Sequence, residues 1–240
     1  MKPIALVALL VLLWSHSDHV AAGERVVYRT EPFELSGTLC MPEGSGPFAA
    51  VVYNHGGLGP IVAGAPEETC AALAGAGYVG FSPVRRLTRP LFGHIDDVLL
   101  ALDYLAGLNN VDKSRLGMIG FSRGGLLSLM AATRRADLSA VVIMAPASGR
   151  GALDRATADF GSIQAPLLIL VAENDTGSRR TQGQSVLAIS IRLQTALDRA
   201  DRQSQLTIYP PFSDDGHTLF FEVGSYWPDV QDFLSQHLAD

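Results

Sequence analysis

The chain has 240 residues and a formal net charge of −6 at pH 7. This length is ample for one domain with a buried core, and the acidic balance argues against a nucleic-acid partner. The sequence contains two cysteines, Cys40 and Cys70, without the spacing of a metal site. In an exported protein they could form a disulfide, or they could pack as two buried thiols.

The first 22 residues are predicted to be a secretory signal peptide that is removed from the mature chain. Lys2 is followed by an apolar run over residues 4–14, which is too short to span a bilayer comfortably, and then by the small residues Ala21 and Ala22. Cleavage after Ala22 predicts a mature chain of residues 23–240, secreted or periplasmic and without stable membrane insertion. An uncleaved anchor is the alternative, although no later segment has membrane length.

The remainder of the chain alternates short apolar runs with amphipathic ones. Strands are predicted at residues 26–28, 33–41, 49–54, 78–84, 116–119, 140–145, 166–172 and 206–209, and helices from residue 66, over 95–108, after 122, over 184–200 and from 227. Alternating strands and helices predict a mostly parallel sheet with helices on both faces. No internal repeat or linker interrupts the pattern, so residues 23–240 are predicted to form a single domain.

The most informative stretch lies around Ser122. An apolar run ends at Gly120, Ser122 follows two residues later, and Gly124 and Gly125 open an apolar run with helical spacing. The pattern G-x-S-x-G between a strand and a helix is typical of a nucleophile elbow, where small residues permit a sharp turn that exposes the serine hydroxyl. Ser122 is therefore the predicted nucleophile; the alternative is a glycine-rich turn with an incidental serine.

An activated serine needs a base, and an acid that orients the base. Two histidines follow Ser122 in the chain. His237 falls on the polar side of the last predicted helix, where a solvated role is expected. His217 lies in a turn-rich loop between the last strand and the last helix, at the sheet edge where sites of parallel sheets form. His217 is therefore the predicted base.

The acid and the oxyanion donors are also expected at the ends of strands. Asp175 follows the strand over residues 166–172 and is the favoured acid, with Glu173 as runner-up. One oxyanion donor is expected to be the backbone amide of Arg123, at the start of a helix. The second is expected in the glycine turn after residue 54, from Gly57 or alternatively Leu58. A merely flexible turn is the competing interpretation.

Substrate preference is only weakly indicated. Arg85, Arg86 and Arg89 follow a predicted strand at the expected site edge, and they favour an anionic substrate or an ester with a nearby carboxylate. A solvated basic loop, or a salt bridge to Asp96 or Asp97, is at least as well supported. The short segment over residues 148–160 predicts an open site with at most a small cap.

Residues 96–125 resemble the helix-strand-elbow block of dienelactone hydrolase-like and prolyl-oligopeptidase-like α/β hydrolases, above all in VDKSRLGMIGFSRGG. The HGG turn at 55–57 and the Gly-His pair at 216–217 extend the resemblance over most of the mature chain. It implies an α/β-hydrolase fold of about eight strands, in which the short segment between the strands at 140–145 and 166–172 leaves no room for a large lid. It also implies a Ser122, Asp175 and His217 triad and no cofactor.

Two departures from these families shape the functional hypothesis. Dienelactone hydrolases proper use a cysteine nucleophile where this chain has Ser122, and the sequence contains no propeller domain of the prolyl-oligopeptidase kind. The first hypothesis is an exported serine hydrolase acting on small to medium carboxylic esters or lactones. A peptidase or amidase on the same triad and a non-catalytic α/β-hydrolase-like binding protein are the alternatives.

Overall fold

The computed structural model describes residues 23–57, 61–89 and 91–239. The predicted signal peptide and the alternative oxyanion donor Leu58 lie outside these described residues. Within these ranges, no helix combines the length and apolar character that crossing a membrane requires.

The described residues contain one eight-stranded sheet, as the sequence predicts. Its strands are β1 (Glu24–Arg29), β2 (Leu35–Cys40), β3 (Phe48–Asn54), β4 (Val79–Pro83), β5 (Val111–Phe121), β6 (Leu138–Met144), β7 (Leu167–Ala172) and β8 (Ser204–Tyr209). Their order across the sheet is β1-β2-β4-β3-β5-β6-β7-β8. The β1–β2 and β2–β4 pairs are antiparallel and the other neighbours are parallel. The prediction of a mostly parallel sheet is therefore confirmed.

Helices cover both faces of the sheet. They are α1 (Pro66–Gly75), α2 (His94–Ala106), α3 (Arg123–Ala132), α4 (Ala152–Ala156), α5 (Val186–Arg199) and α6 (Trp227–Leu238). Along β3, Ala50 and Val52 belong to the apolar cluster under α2, α3 and α5, whereas Val51 and Tyr53 belong to the cluster that includes residues of α1 and α6. Alternate side chains of a strand point to opposite faces, so the near-continuous apolar run of β3 serves two cores.

Some predicted boundaries differ from the observed ones. The second strand begins at Leu35 instead of Phe33, because residues 31–33 bend and Phe33 is half exposed. The elbow strand extends back to Val111, well before its apolar end. The segment predicted to be at most a small cap carries α4, and its Leu153 and Phe160 are buried in the main core.

A disulfide joins Cys40 at the end of β2 to Cys70 in α1, with 5.6 Å between their Cα atoms. Both residues are buried. The structure therefore resolves the two alternatives that the sequence left open in favour of the disulfide.

Candidate active site

Ser122 stands at a sharp turn between β5 and α3. Its φ of 54° and ψ of −114° are rare for a residue with a side chain, which marks a strained backbone. The Ser122 amide donates to the Met144 carbonyl (2.8 Å), and the Ala147 amide donates to the Ser122 carbonyl (3.0 Å), so β6 and the loop after it hold the turn in place. A Cβ atom at Gly124 would overlap the Asn54 carbonyl oxygen, which explains the need for glycine there.

Three predicted residues from different loops meet at this edge of the sheet. The Nε2 atom of His217 lies 3.1 Å from Ser122 Oγ, and its Nδ1 atom lies 2.7 Å from Asp175 Oδ2. His217 and Asp175 are 4% and 1% exposed, so the carboxylate–imidazole contact is shielded from water. Glu173, the runner-up, is exposed and its amide donates to the Tyr209 carbonyl (2.8 Å). The structure brings Asp175, and not Glu173, to the histidine.

Several contacts orient the His217 ring. His217 lies in a short 3₁₀ helix, Gly216–Phe220, and its amide donates to Asp215 Oδ1 (3.1 Å). Its ring packs on Phe121, with 4.8 Å between the ring centroids. Burial opposes ionisation of Asp215, but hydrogen bonds from Ser178, the His217 amide and Arg180 outweigh it and lower the pKa of this carboxyl group. Asp215 therefore stays an anionic cap for the segment that carries the imidazole.

The two residues whose backbone amides are the predicted oxyanion donors lie beside the serine. Gly57 follows the end of β3 with a φ of 89° and lines the same pocket as Ser122. Arg123 is the first residue of α3, and amides in the first turn of a helix have no acceptor within the helix. Both of these predicted donors therefore border the pocket.

The pocket in front of Ser122 has a volume of about 430 Å³ and is rich in cationic groups. Four arginines line it: Arg89, Arg123, Arg150 and Arg180. Arg180 forms an ion pair with Asp215 (3.1 Å), but no carboxylate within the described ranges pairs with the other three. The Arg123 guanidinium is half buried with its Nη1 atom unpartnered, and burial together with the nearby Arg150 lowers the pKa of Arg123.

Two of the three arginines predicted to bind substrate do not line the pocket, which corrects that prediction. Arg86 forms an ion pair with the buried Asp97, and its amide also donates to that carboxylate (2.9 Å). Arg85 is 6% exposed and donates through Nη1 to the His55 carbonyl oxygen (2.7 Å). A buried carboxylate and a buried carbonyl each require a hydrogen-bond partner. Arg86 is the partner of the Asp97 carboxylate and Arg85 that of the His55 carbonyl, so neither guanidinium group lines the pocket. Of the three, only Arg89 reaches the pocket.

The sequence reasoning missed several pocket residues. Arg150 follows β6, and Arg180 and Gln184 follow β7. The rule that sites form beyond the carboxyl ends of parallel strands could have found them, had it been applied to every strand end. The side chain of Arg123 was missed because only its amide was considered.

An eight-stranded, mostly parallel sheet with a strained serine turn between β5 and α3 defines an α/β hydrolase. Solved structures of this superfamily are similar to the chain. An esterase from the archaeon Pyrobaculum calidifontis is 17% identical with a TM-score of 0.70 over 90% of this chain and 86% of its own. A Klebsiella pneumoniae protein assigned as a dienelactone hydrolase is 17% identical, with a TM-score of 0.65 over 89% of this chain and 98% of its own.

A third similar structure, the Pyrococcus horikoshii acylaminoacyl peptidase, is 15% identical with a TM-score of 0.71 over 90% of this chain but only 42% of the peptidase. At these identities the likeness concerns the fold. No curated protein sequence gives a significant match. The model of the dienelactone hydrolase family matches residues 35–223. The chain therefore belongs to the dienelactone hydrolase family.

Proposed function

We propose that this family member is an exported serine hydrolase that cleaves carboxylic esters or lactones of small to medium size. The observation that carries the proposal is the placement of His217 within hydrogen-bond reach of both Ser122 and Asp175. A nucleophile, a base and a group that orients the base are what covalent acyl transfer requires.

In the proposed mechanism, His217 Nε2 accepts the Ser122 proton while Oγ attacks the acyl carbon. Asp175 holds the Nδ1–H tautomer and stabilises the imidazolium that forms. The amides of Gly57 and Arg123 donate to the tetrahedral oxyanion. His217 then gives its proton to the leaving alcohol, and a water molecule repeats the sequence on the acyl-enzyme to release the acid and restore Ser122.

The pocket favours a compact and negatively charged ester. A volume of about 430 Å³ suits a small molecule. Arg89, Arg123 and Arg150 present guanidinium groups without an acidic partner in the described part of the chain, and guanidinium groups bind carboxylates well. We therefore propose esters or lactones that carry a carboxylate close to the scissile bond.

Charge selectivity is tested with the double variant Arg123→Gln/Arg150→Gln. Its kcat/KM for the anionic mono-p-nitrophenyl succinate should fall about tenfold relative to that for neutral p-nitrophenyl butyrate. Arg192→Gln changes an exposed arginine of α5 and serves as the control. An unchanged ratio between the two esters in the double variant contradicts the anionic preference.

The reaction class is tested by comparing the purified chain 23–240 with Ser122→Ala and with Ser235→Ala, which changes an exposed serine of α6. Hydrolysis of p-nitrophenyl acetate and butyrate, and labelling by a fluorophosphonate probe, should both be lost in Ser122→Ala alone. Labelling without ester turnover would favour the peptidase or amidase alternative. If the folded wild-type protein shows neither ester hydrolysis nor labelling, the result would favour a non-catalytic binding protein.

Export is supported by the charged and apolar start of the chain and by the buried Cys40–Cys70 disulfide. Disulfides persist mainly in oxidising compartments, such as the periplasm or the extracellular space. The test is expression of all 240 residues in a bacterial host, followed by N-terminal sequencing of the exported protein. We expect the sequence to begin at Gly23; recovery only of uncleaved chain in the cytoplasm would contradict export.

A further inference from the structure

A buried guanidinium lies behind the loop that carries one of the proposed oxyanion donors. Arg85 follows β4, is 6% exposed and is absent from the lining of the pocket in front of Ser122. Its Nη1 atom donates to the His55 carbonyl oxygen (2.7 Å), and its Nη2 atom lies 3.4 Å from the Gly56 carbonyl oxygen. These are the two carbonyl groups that immediately precede the Gly57 amide.

The Gly56 carbonyl and the Gly57 N–H belong to one planar peptide unit, so the direction of the first fixes the direction of the second. Besides Arg85, the Gly56 oxygen contacts His55 Nδ1 (2.6 Å) and the Ala63 amide (3.4 Å). The Gly56 amide in turn donates to the Ala63 carbonyl (2.8 Å). The loop is thus held at both peptide units before Gly57.

The protonation state of His55 decides which acceptors the Arg85 guanidinium meets. Burial, and then the charge of Arg85, lower the pKa of His55 to about 3, so the ring is neutral at pH 7 and carries one proton. The 2.6 Å contact between Nδ1 and the Gly56 oxygen requires that proton on Nδ1. A protonated Nδ1 cannot accept from Arg85, whose donors therefore serve the two backbone oxygens.

The helix that follows Ser122, α3, also packs closely against the His55 carbonyl. A Cβ atom at Gly124 would stand 2.7 Å from the His55 oxygen, which shows how closely α3 approaches this backbone. Water has little access to that oxygen, so it needs a donor from the protein. Burial lowers the pKa of Arg85 to about 10, with a further contribution from Arg123, and the guanidinium remains charged at neutral pH.

We infer that Arg85 is a positioning residue for the proposed reaction: its guanidinium holds the His55 and Gly56 carbonyls so that the Gly57 amide faces the oxyanion. A charged donor at these carbonyls also polarises the peptide units that follow, which strengthens the Gly57 N–H as a donor. The inference rests on the proposed function, because it assigns a role within acyl transfer.

Arg85→Gln and Arg85→Lys test this role, with Arg202→Gln as the matched control. Arg202 also donates to backbone carbonyls, including those of Ile163 (2.9 Å) and Ala200 (3.0 Å), but it does not line the pocket. Arg85→Gln should lower kcat for p-nitrophenyl butyrate by about 10²-fold with KM changed less than threefold, in the range for loss of an oxyanion donor. Arg85→Lys should recover part of the loss, because it keeps the charge.

Affinity for a trifluoromethyl ketone, whose serine adduct bears an oxyanion, should fall in Arg85→Gln by a factor similar to that in kcat. The ¹⁵N–¹H chemical shift of the Gly57 amide should move in the same variant. Arg202→Gln should leave kcat, ketone affinity and the Gly57 shift unchanged, whatever its thermal midpoint.

The inference is overturned if kcat falls while ketone affinity and the Gly57 shift stay constant, or if Arg202→Gln loses as much kcat at equal destabilisation. Arg85→Lys carries the test if Arg85→Gln does not fold. If the wild-type protein shows neither turnover nor labelling, the proposed function fails, and the Gly57 shift still reports whether Arg85 orients this amide.

Discussion

Gly124→Ala should test whether activity depends on the close approach of α3 to the end of β3. An added Cβ atom would stand 2.5 Å from the Asn54 carbonyl carbon and 2.7 Å from the His55 oxygen, whereas ordinary contacts are 3.4–4 Å. These obstacles, and the Asn54 carbonyl oxygen that lies closer still, are backbone atoms, so α3 must retreat by at least ~1 Å, and Ser122 and the Arg123 amide at its start must move with it. A misplacement of about 1 Å can cost about 10²-fold in rate.

The assay measures initial rates on p-nitrophenyl butyrate together with the urea midpoint of unfolding. Gly75→Ala is the control, because its Cβ atom would meet nothing within 4 Å, and it should keep full activity with unchanged or slightly higher stability. For Gly124→Ala we expect a kcat loss of about 10²-fold and a lower midpoint. Wild-type kcat and midpoint in Gly124→Ala would refute the close approach of α3 to β3 as the reason for glycine.

Three further predictions follow from the disulfide, the buried histidine and the carboxylate. Cys40→Ala/Cys70→Ala should lower the free energy of unfolding by about 4 kcal/mol, from chain entropy over a sequence separation of 30; a loss below ~1 kcal/mol in urea titrations would contradict this. Because burial lowers the pKa of His55 from 6.5 to about 3, the unfolded chain binds a proton below pH 6.5 that the folded chain does not. The free energy of unfolding should therefore decrease as the pH is lowered from about 6.5 to 3, by up to ~1.4 kcal/mol per pH unit. The urea midpoint of His55→Gln should decrease less steeply with falling pH than that of the wild-type protein. Equal slopes would count against the lowered pKa of His55. Asp175→Asn should keep the fold but lower kcat by about 10⁴-fold, as expected from the wrong imidazole tautomer; near wild-type kcat would remove Asp175 from the mechanism.

Three of the arginines that line the pocket, Arg89, Arg123 and Arg150, have no acidic partner in the described residues. Arg123 is the nearest in sequence to Ser122, and burial, with a further contribution from repulsion by Arg150, lowers its pKa. An anion in the pocket would relieve this repulsion and partner the orphaned Nη1 atom. The electrostatics of the site thus favour the anionic substrates proposed above.

Much of the fold was predictable because its signals are local. The apolar runs of the parallel strands and the amphipathic spacing of α2 and α5 are properties of a few turns or a few strand residues. The glycines around Ser122 mark the elbow for the same reason, since only small residues fit so sharp a turn. The sequence by itself therefore determined the order of the elements and the candidate nucleophile, and it pointed to His217 as the candidate base.

Tertiary structure alone decided which partner each side chain meets. Arg85 and Arg86 are neighbours in the chain, yet Arg85 contacts the loop after β3 whereas Arg86 pairs with a carboxylate of α2. Asp175 rather than Glu173 reaches His217, and Cys40 meets Cys70, through packing between elements distant in sequence. Sequence spacing governs local conformation, but contacts between elements depend on how those elements pack.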